Sequence, residues 1–157
     1  MRPRIQAVAL PSEIGEFAED VRRIFLELGR ASGSGSADAL TGDCNPPVDL
    51  YETDEALEIA MDVPGVSADS IRVLVKGASL LIAGEKLPRR GRGDSSFHLV
   101  ERGFGRFVRL LRLTSACDAG RARAVLTRGE LRITVPKIVE RRGRSIAIAI
   151  TTDRPVA

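Results

Sequence analysis

The sequence predicts an all-β sandwich that carries a helical N-terminal arm and an extended C-terminal tail. Three observations lead there. Between Pro46 and Pro136, short apolar runs recur at close spacing with Gly, Pro and Ser between them, the punctuation of a sandwich. Within residues 122–136, Leu131, Ile133 and Val135 alternate with Glu130, Arg132 and Thr134, as on a strand with one buried face. Residues 106–113 place Phe107, Val108, Leu110, Leu111 and Leu113 on both faces, as expected of a strand covered by two layers.

A chain of 157 residues, 43% of them hydrophobic, has room for one domain of about 100 residues and tails. The boundaries fall at composition changes: an arm at 1–45, a folded domain at 46–137 and an extension at 138–157. In the arm, residues 12–30 read as an amphipathic helix with Ile14, Phe17, Ala18, Val21, Ile24, Phe25 and Leu28 on one face. Ser12 can cap it, Glu13 and Glu16 sit near its positive end, and Gly29 can end it. Residues 31–45 are rich in Gly, Ser, Ala and Asp and read as a flexible linker. An apolar stripe on a loose tether suits binding to other chains, sister subunits or clients. The alternative is packing on its own domain.

Within the domain, residues 48–53 form a first strand and 56–63 a second, with Leu57, Ile59, Met61 and Val63 on one face. Asp62-Val63-Pro64-Gly65 breaks it, and residues 67–70 turn. Ile71, Val73 and Val75 mark a third strand. Residues 80–83 follow, closed by Gly84-Glu85-Lys86. Residues 87–96 form a polar loop, and 97–101 a strand inside a long excursion. Residues 106–113 come next, then the hairpin of 122–126 and 131–135 about Thr127-Arg128-Gly129-Glu130. Gly129 there can take positive φ at no steric cost, and Pro136, lacking an N–H, closes the last strand. Beyond it the tail is charged and then alternates Ile146, Ile148 and Ile150.

Composition excludes several function classes. Charge is high at 29% but nearly balanced, 24 basic against 21 acidic residues, and aromatics are only 4%. That balance argues against a nucleic-acid binder. Arg89, Arg90 and Arg92 in the loop, and Arg141, Arg142 and Arg144 in the tail, read as solvated surface. No run of about 18 apolar residues indicates a membrane span, and residues 7–10 are too short for a signal-peptide core. Cys44 and Cys117 lie far apart with no partner pattern, so neither a metal site nor a disulfide framework is indicated. A reduced, cytoplasmic protein is the default.

No catalytic constellation is present. His98 is the only histidine and reads as a half-exposed strand residue. Glu52, Asp54, Glu55 and Glu58 sit at strand ends, where solvated charge is the norm. No phosphate loop of the G-x-x-x-x-G-K type exists, so the chain is read as no enzyme, with no cofactor. Arg109 stands out, flanked by Phe107, Val108, Leu110 and Leu111. Buried there, a guanidinium needs a carboxylate partner; at an edge it would snorkel to water.

The motifs, in order, resemble those of small heat shock proteins, the Hsp20 or α-crystallin domain family, in its bacterial and plant form. Residues 47–53 look like the domain entry, and Asp62-Val63-Pro64-Gly65 like the D-[VL]-P-G break. Leu80, Ile82, Gly84 and Glu85 are similar to L-x-I-x-G-E. Phe97-His98 with Val100-Glu101-Arg102, then Gly105, Phe107 and Arg109, are similar to W/Y-H-x-V-E-R followed by G-x-F-x-R. Ala124, Gly129 and Leu131 fit A-x-x-x-x-G-x-L, with Arg128 where Asn is usual and Glu130 where Val is usual. Ile146-Ala147-Ile148 looks like the I-x-I anchor, although Ile148 and Ile150 offer a second register. Thr114 stands where a proline is usual.

The resemblance implies an immunoglobulin-like β-sandwich, the α-crystallin domain, and an ATP-independent holdase that keeps partly unfolded proteins from aggregating under stress. It implies dimers made by exchanging the 97–101 strand, with Phe97, Leu99, Val100, Glu101 and Arg109 at the interface. Larger homo-oligomers would form through Ile146, Ile148 and Ile150, docked in a groove walled by Ile71, Val73, Val75 and Val125. Ile14, Phe17, Val21, Ile24, Phe25 and Leu28 would serve clients or assembly. The alternative is a co-chaperone adapter with a related sandwich that binds one folded partner; such adapters lack the long excursion and the I-x-I tail.

Overall fold

Alternation of apolar residues forces the strands into two layers, and the layers are antiparallel sheets. The computed structural model describes residues 11–32, 44–89 and 91–138, without the side chains of 11–14. Its elements are α1 (Pro11–Ser32), β1 (Val48–Glu52), β2 (Ala56–Asp62), β3 (Ile71–Lys76), β4 (Ser79–Lys86), β5 (Gly105–Arg112), β6 (Arg123–Thr127) and β7 (Glu130–Pro136). One sheet has the order β1-β2-β7-β6 and the other β3-β4-β5. Leu57, Ile59 and Met61 of β2, Leu80 and Ile82 of β4, Phe107 and Leu111 of β5, and Ile133 and Val135 of β7 close the core between them.

The hairpin folds as its sequence requires. Arg128 and Gly129 both have positive φ, 52° and 80°, the two-residue turn whose twist matches the flanking strands. Leu131, Ile133 and Val135 are buried, and β7 ends at Pro136.

Three expectations are corrected. First, Gly84-Glu85-Lys86 does not close β4 but belongs to it. Glycine is tolerated inside this strand because the space is filled from across the core. A Cβ at Gly84 would lie 2.5 Å from Phe107 Cζ and 2.8 Å from the Ser70 carbonyl oxygen.

Second, the strand covered by two layers is β4, not β5. Every residue from Ser79 to Glu85 is buried, with Leu80 and Ile82 facing the sandwich and Leu81 and Ala83 facing α1. β5 is an edge strand, and Val108 on it is 42% exposed. Apolar residues on both faces mark double cover only in a central strand.

Third, residues 97–101 form no strand. A strand needs an edge to pair with, and no edge of the described chain meets this segment.

The apolar stripe of α1 rests on the chain's own sheet. Phe17, Ile24 and Leu28 are buried against Leu81 and Ala83, with Val21, Phe25, Leu74 and Leu110 around them. Each fully buried side chain of this size contributes about 1.5–3 kcal/mol. Exposed ion pairs at the rim add at most about 1 kcal/mol each. Apolar cover therefore holds the helix more than its charges do. The sequence favours a helix presented to other chains; the arrangement observed is the alternative, packing on its own domain, because Leu81 and Ala83 offer the stripe an apolar face.

Candidate interaction surfaces

Three surfaces of the described chain stand out: the excursion between β4 and β5, the sheet edges β3 and β6, and the seam between α1 and its sheet. Among the described residues, no set of three or more His, Cys, Asp or Glu is placed to hold a metal ion. Glu58 accepts a hydrogen bond from Thr134 Oγ1 at 2.8 Å. Glu52 ties β1 to the end of the hairpin. It lies 2.5 Å from Lys137 Nζ and accepts from Ser115 Oγ at 2.6 Å and Thr114 Oγ1 at 3.2 Å. Lys137, then the Ser115 hydroxyl, holds the Glu52 carboxyl below its usual range. Burial and the Glu52 charge push the Cys117 thiol up, which makes it a poor thiolate.

The excursion between β4 and β5 presents a first surface. Phe97, Leu99 and Val100 are 61%, 73% and 63% exposed, and Glu101 is exposed beside them. Arg109 is not brought to them. It is half-buried and donates from Nη1 to Asn45 Oδ1 at 3.1 Å and to the Pro46 carbonyl at 2.8 Å. Within the described chain its acceptors are neutral groups of the segment that leads into β1. The reason is position: on an edge strand the guanidinium reaches past the sandwich and stays partly solvated.

The second surface lies where the sheet edges β3 and β6 close the same core. Ile71, Val73 and Val75 pair in register with Gly84, Ile82 and Leu80 and so face inward. On β6, Ala124 pairs with Ile133 and Leu126 with Leu131, and those partners are buried. Val125 pairs with Arg132 and is 58% exposed. Cross-strand partners share a face, so Val125 lies on the outer face of β6, away from the face of Ala124 and Leu126 that is turned to the core. Leu126, Val73 and Val75 pack on the same core. The expected occupants, Ile146, Ile148 and Ile150, lie outside the described residues, as does the side chain of Ile14.

The third surface is the seam between α1 and the β3-β4-β5 sheet, whose polar contacts sequence reasoning missed. Lys76 Nζ donates to Asp20 Oδ2 at 2.5 Å and to the Glu16 carbonyl at 3.1 Å, and stands 5.1 Å from the Phe17 ring centre. Asp20 also pairs with Arg23. The Lys76 hydrogen bond is the main cause that holds the Asp20 carboxyl below its usual range. At the other end of the seam, Arg106 lies 4.9 Å from the Phe25 ring centre. Its Nε is 3.4 Å from Oε1 of Glu85, which is 2% exposed. Glu85 and Arg106 are direct cross-strand partners. The sequence spaces them 21 residues apart, and only the strand register reveals the pair.

With this geometry in hand, the chain compares with known proteins as follows. Residues 49–151 match the Hsp20/alpha crystallin family. The chain is 34% identical to a 16.9 kDa class I heat shock protein of Triticum aestivum over 119 residues, 75% of this chain and 79% of the relative. It is 34% identical to a 21.9 kDa heat shock protein of Oryza sativa over 153 residues, 88% and 74% of the two chains. Among solved structures it resembles heat shock protein 16.0 of Schizosaccharomyces pombe, with a TM-score of 0.59 and 29% identity over 69% of this chain and all of that one. A small heat-shock protein of Xylella fastidiosa matches with a TM-score of 0.56 and 29% identity, covering 68% and 98%.

Proposed function

The chain belongs to the Hsp20/alpha crystallin family, and on that premise we propose that it is an ATP-independent holdase. It binds partly unfolded proteins by apolar surface and prevents their aggregation, with no enzymatic step and no cofactor. It acts in the cytoplasm as a homo-oligomer. No described helix is long and apolar enough to cross a membrane.

The observation that carries this reading is the uncovered excursion. Phe97, Leu99 and Val100 stand together in water within four residues, and contiguous exposed apolar groups mark an interaction site. Paired with a neighbouring subunit's sheet edge, they account for self-association. The partly buried Val73 and Val75 of edge strand β3 and Leu126 of edge strand β6 support further assembly through the tail. The helix α1 supports client binding if it lifts from Leu81 and Ala83, since lifting uncovers two matched apolar faces.

The test is light scattering from a heat-denatured client, with and without equimolar protein and with no ATP added. Suppressed scattering is expected; unchanged client aggregation refutes the reading.

A further inference from the structure

We infer that α1 is a half-lid: residues 11–22 open from the β3-β4-β5 sheet while residues 24–32 stay seated as the pivot. The inference deepens the client-binding role proposed above for this helix and rests on that reading. Packing differs between the halves. The second half seats two fully buried side chains, Ile24 and Leu28, and the first half only Phe17 among its described side chains. A cavity of about 660 Å³ runs between Phe17, Ala18 and Val21 and strands β4 and β5, and no residue of the second half lines it. Side chains that border a void lose contacts on that side, and the part of a fold with fewer apolar contacts opens first.

The backbone of the first half is weakened from within. Gly15 lies inside the helix, and a Cβ there would meet nothing within 4 Å. Packing therefore does not require glycine, which is among the least favourable residues in a helix interior. Released from the sheet, residues 11–22 are at the lower limit of about 12–15 residues for a helix in water, so they fray once they lift.

The two polar fastenings differ in the same sense. Over the first half, Lys76 faces Phe17 and pairs with Asp20, but its side chain is 50% exposed. Such a pair is screened and contributes little. Under the second half, Arg106 faces Phe25, and the buried Glu85 holds its guanidinium there. A cation–aromatic contact strengthens as water is excluded, so this end is the firmer. Opening uncovers Phe17 and Val21 on the helix and Leu81 and Leu110 on the sheet. Ile24 and Leu28 keep the arm on its own domain meanwhile.

The experiment is amide hydrogen exchange on the full-length protein. Residues 17–22 lie beyond the first turn, so ordinary end fraying does not reach them, and they are expected to exchange about tenfold faster than residues 24–28. Lys76→Gln is expected to speed residues 17–22 and leave 24–28 unchanged. Gly15→Ala is expected to slow residues 17–22 about fivefold. Phe25→Leu, which loosens the pivot, is expected to speed both halves. Equal exchange in the two halves of the wild type overturns the inference. So does Lys76→Gln acting on both halves alike, or Gly15→Ala leaving residues 17–22 unchanged. Client scattering is measured on the same samples, with more suppression expected from Lys76→Gln and less from Gly15→Ala. Suppression that ignores both substitutions removes the half-lid from client binding. A wild type that opens by halves yet suppresses nothing refutes the holdase and leaves the half-lid standing. Suppression by a wild type with even exchange refutes only the half-lid.

Discussion

Gly129 is stacked against Pro64. A Cβ at Gly129 would fall 3.0 Å from Pro64 Cα, and the Val63 N–H donates to the Gly129 carbonyl at 2.7 Å. The hairpin turn and the break after β2 are therefore one structural unit, although the two motifs lie far apart in the chain. Gly129→Ala meets two penalties: a φ of 80° that disfavours a side chain by about 1–2 kcal/mol, and backbone contact that cannot move aside. A loss of about 2–3 kcal/mol is expected by urea unfolding. At the preceding position Arg128 has φ 52°, so Arg128→Gly relieves strain and stabilises by up to about 1 kcal/mol. A neutral effect at both positions contradicts this account of the turn.

The seam of α1 is expected to loosen in acid. The folded-state pKa of Asp20 is lowered, chiefly by Lys76. The unfolded chain therefore takes up this proton first as pH falls. The stabilisation is complete above the ordinary aspartate value of about 3.9 and is lost as pH drops through the lowered one. Glu52, lowered chiefly by Lys137, acts in the same direction on the sandwich. Hydrogen exchange separates them: helical amides of α1 lose protection below the aspartate range, and Asp20→Asn makes their protection lower and flat with pH. Helical protection that ignores both acid and Asp20→Asn excludes this ion pair as a fastening.

The register of β6 predicts an asymmetric effect of two neighbouring substitutions. Ala124 shares the face of buried Ile133 and is exposed, so Ala124→Glu is expected to block tail docking without unfolding the sandwich. Val125→Glu, on the face shared with Arg132, is expected to leave assembly intact. Ile146→Ala with Ile148→Ala should reduce assembly towards dimers, and Ile150→Ala should complete the effect if both tail registers are used. Each docked isoleucine contributes about 1.5–3 kcal/mol. Sedimentation velocity measures all of these, and a triple tail variant of wild-type assembly size removes the tail from the assembly scheme.

Deleting residues 91–102 is expected to give monomers with a folded sandwich. The segment carries the exposed Phe97, Leu99 and Val100, while the core cluster draws nothing from it. Dimers that persist in the deletion variant place the interface elsewhere, with edge strand β5 and its exposed Val108 as the next candidate.

Local patterns were enough for much of this chain. Leu57, Ile59 and Met61, or Leu131, Ile133 and Val135, declare a strand and its inner face because alternate side chains must point opposite ways, whatever the rest of the molecule does. The same holds for the helix stripe of Phe17, Ile24 and Leu28, and for the turn at Gly129. Tertiary structure decided what those faces meet. Val125 and Leu126 are both apolar, so alternation alone cannot say which one faces the core; pairing with Arg132 and Leu131 does. β4 and β5 are both apolar on two faces, and only sheet order, with α1 laid over Leu81 and Ala83, makes one central and the other an edge. Arg109 finds Asn45 and Pro46, and Glu85 finds Arg106, through contacts between distant segments. Pairing between strands is a property of the assembled sheets, and no stretch of sequence carries it alone.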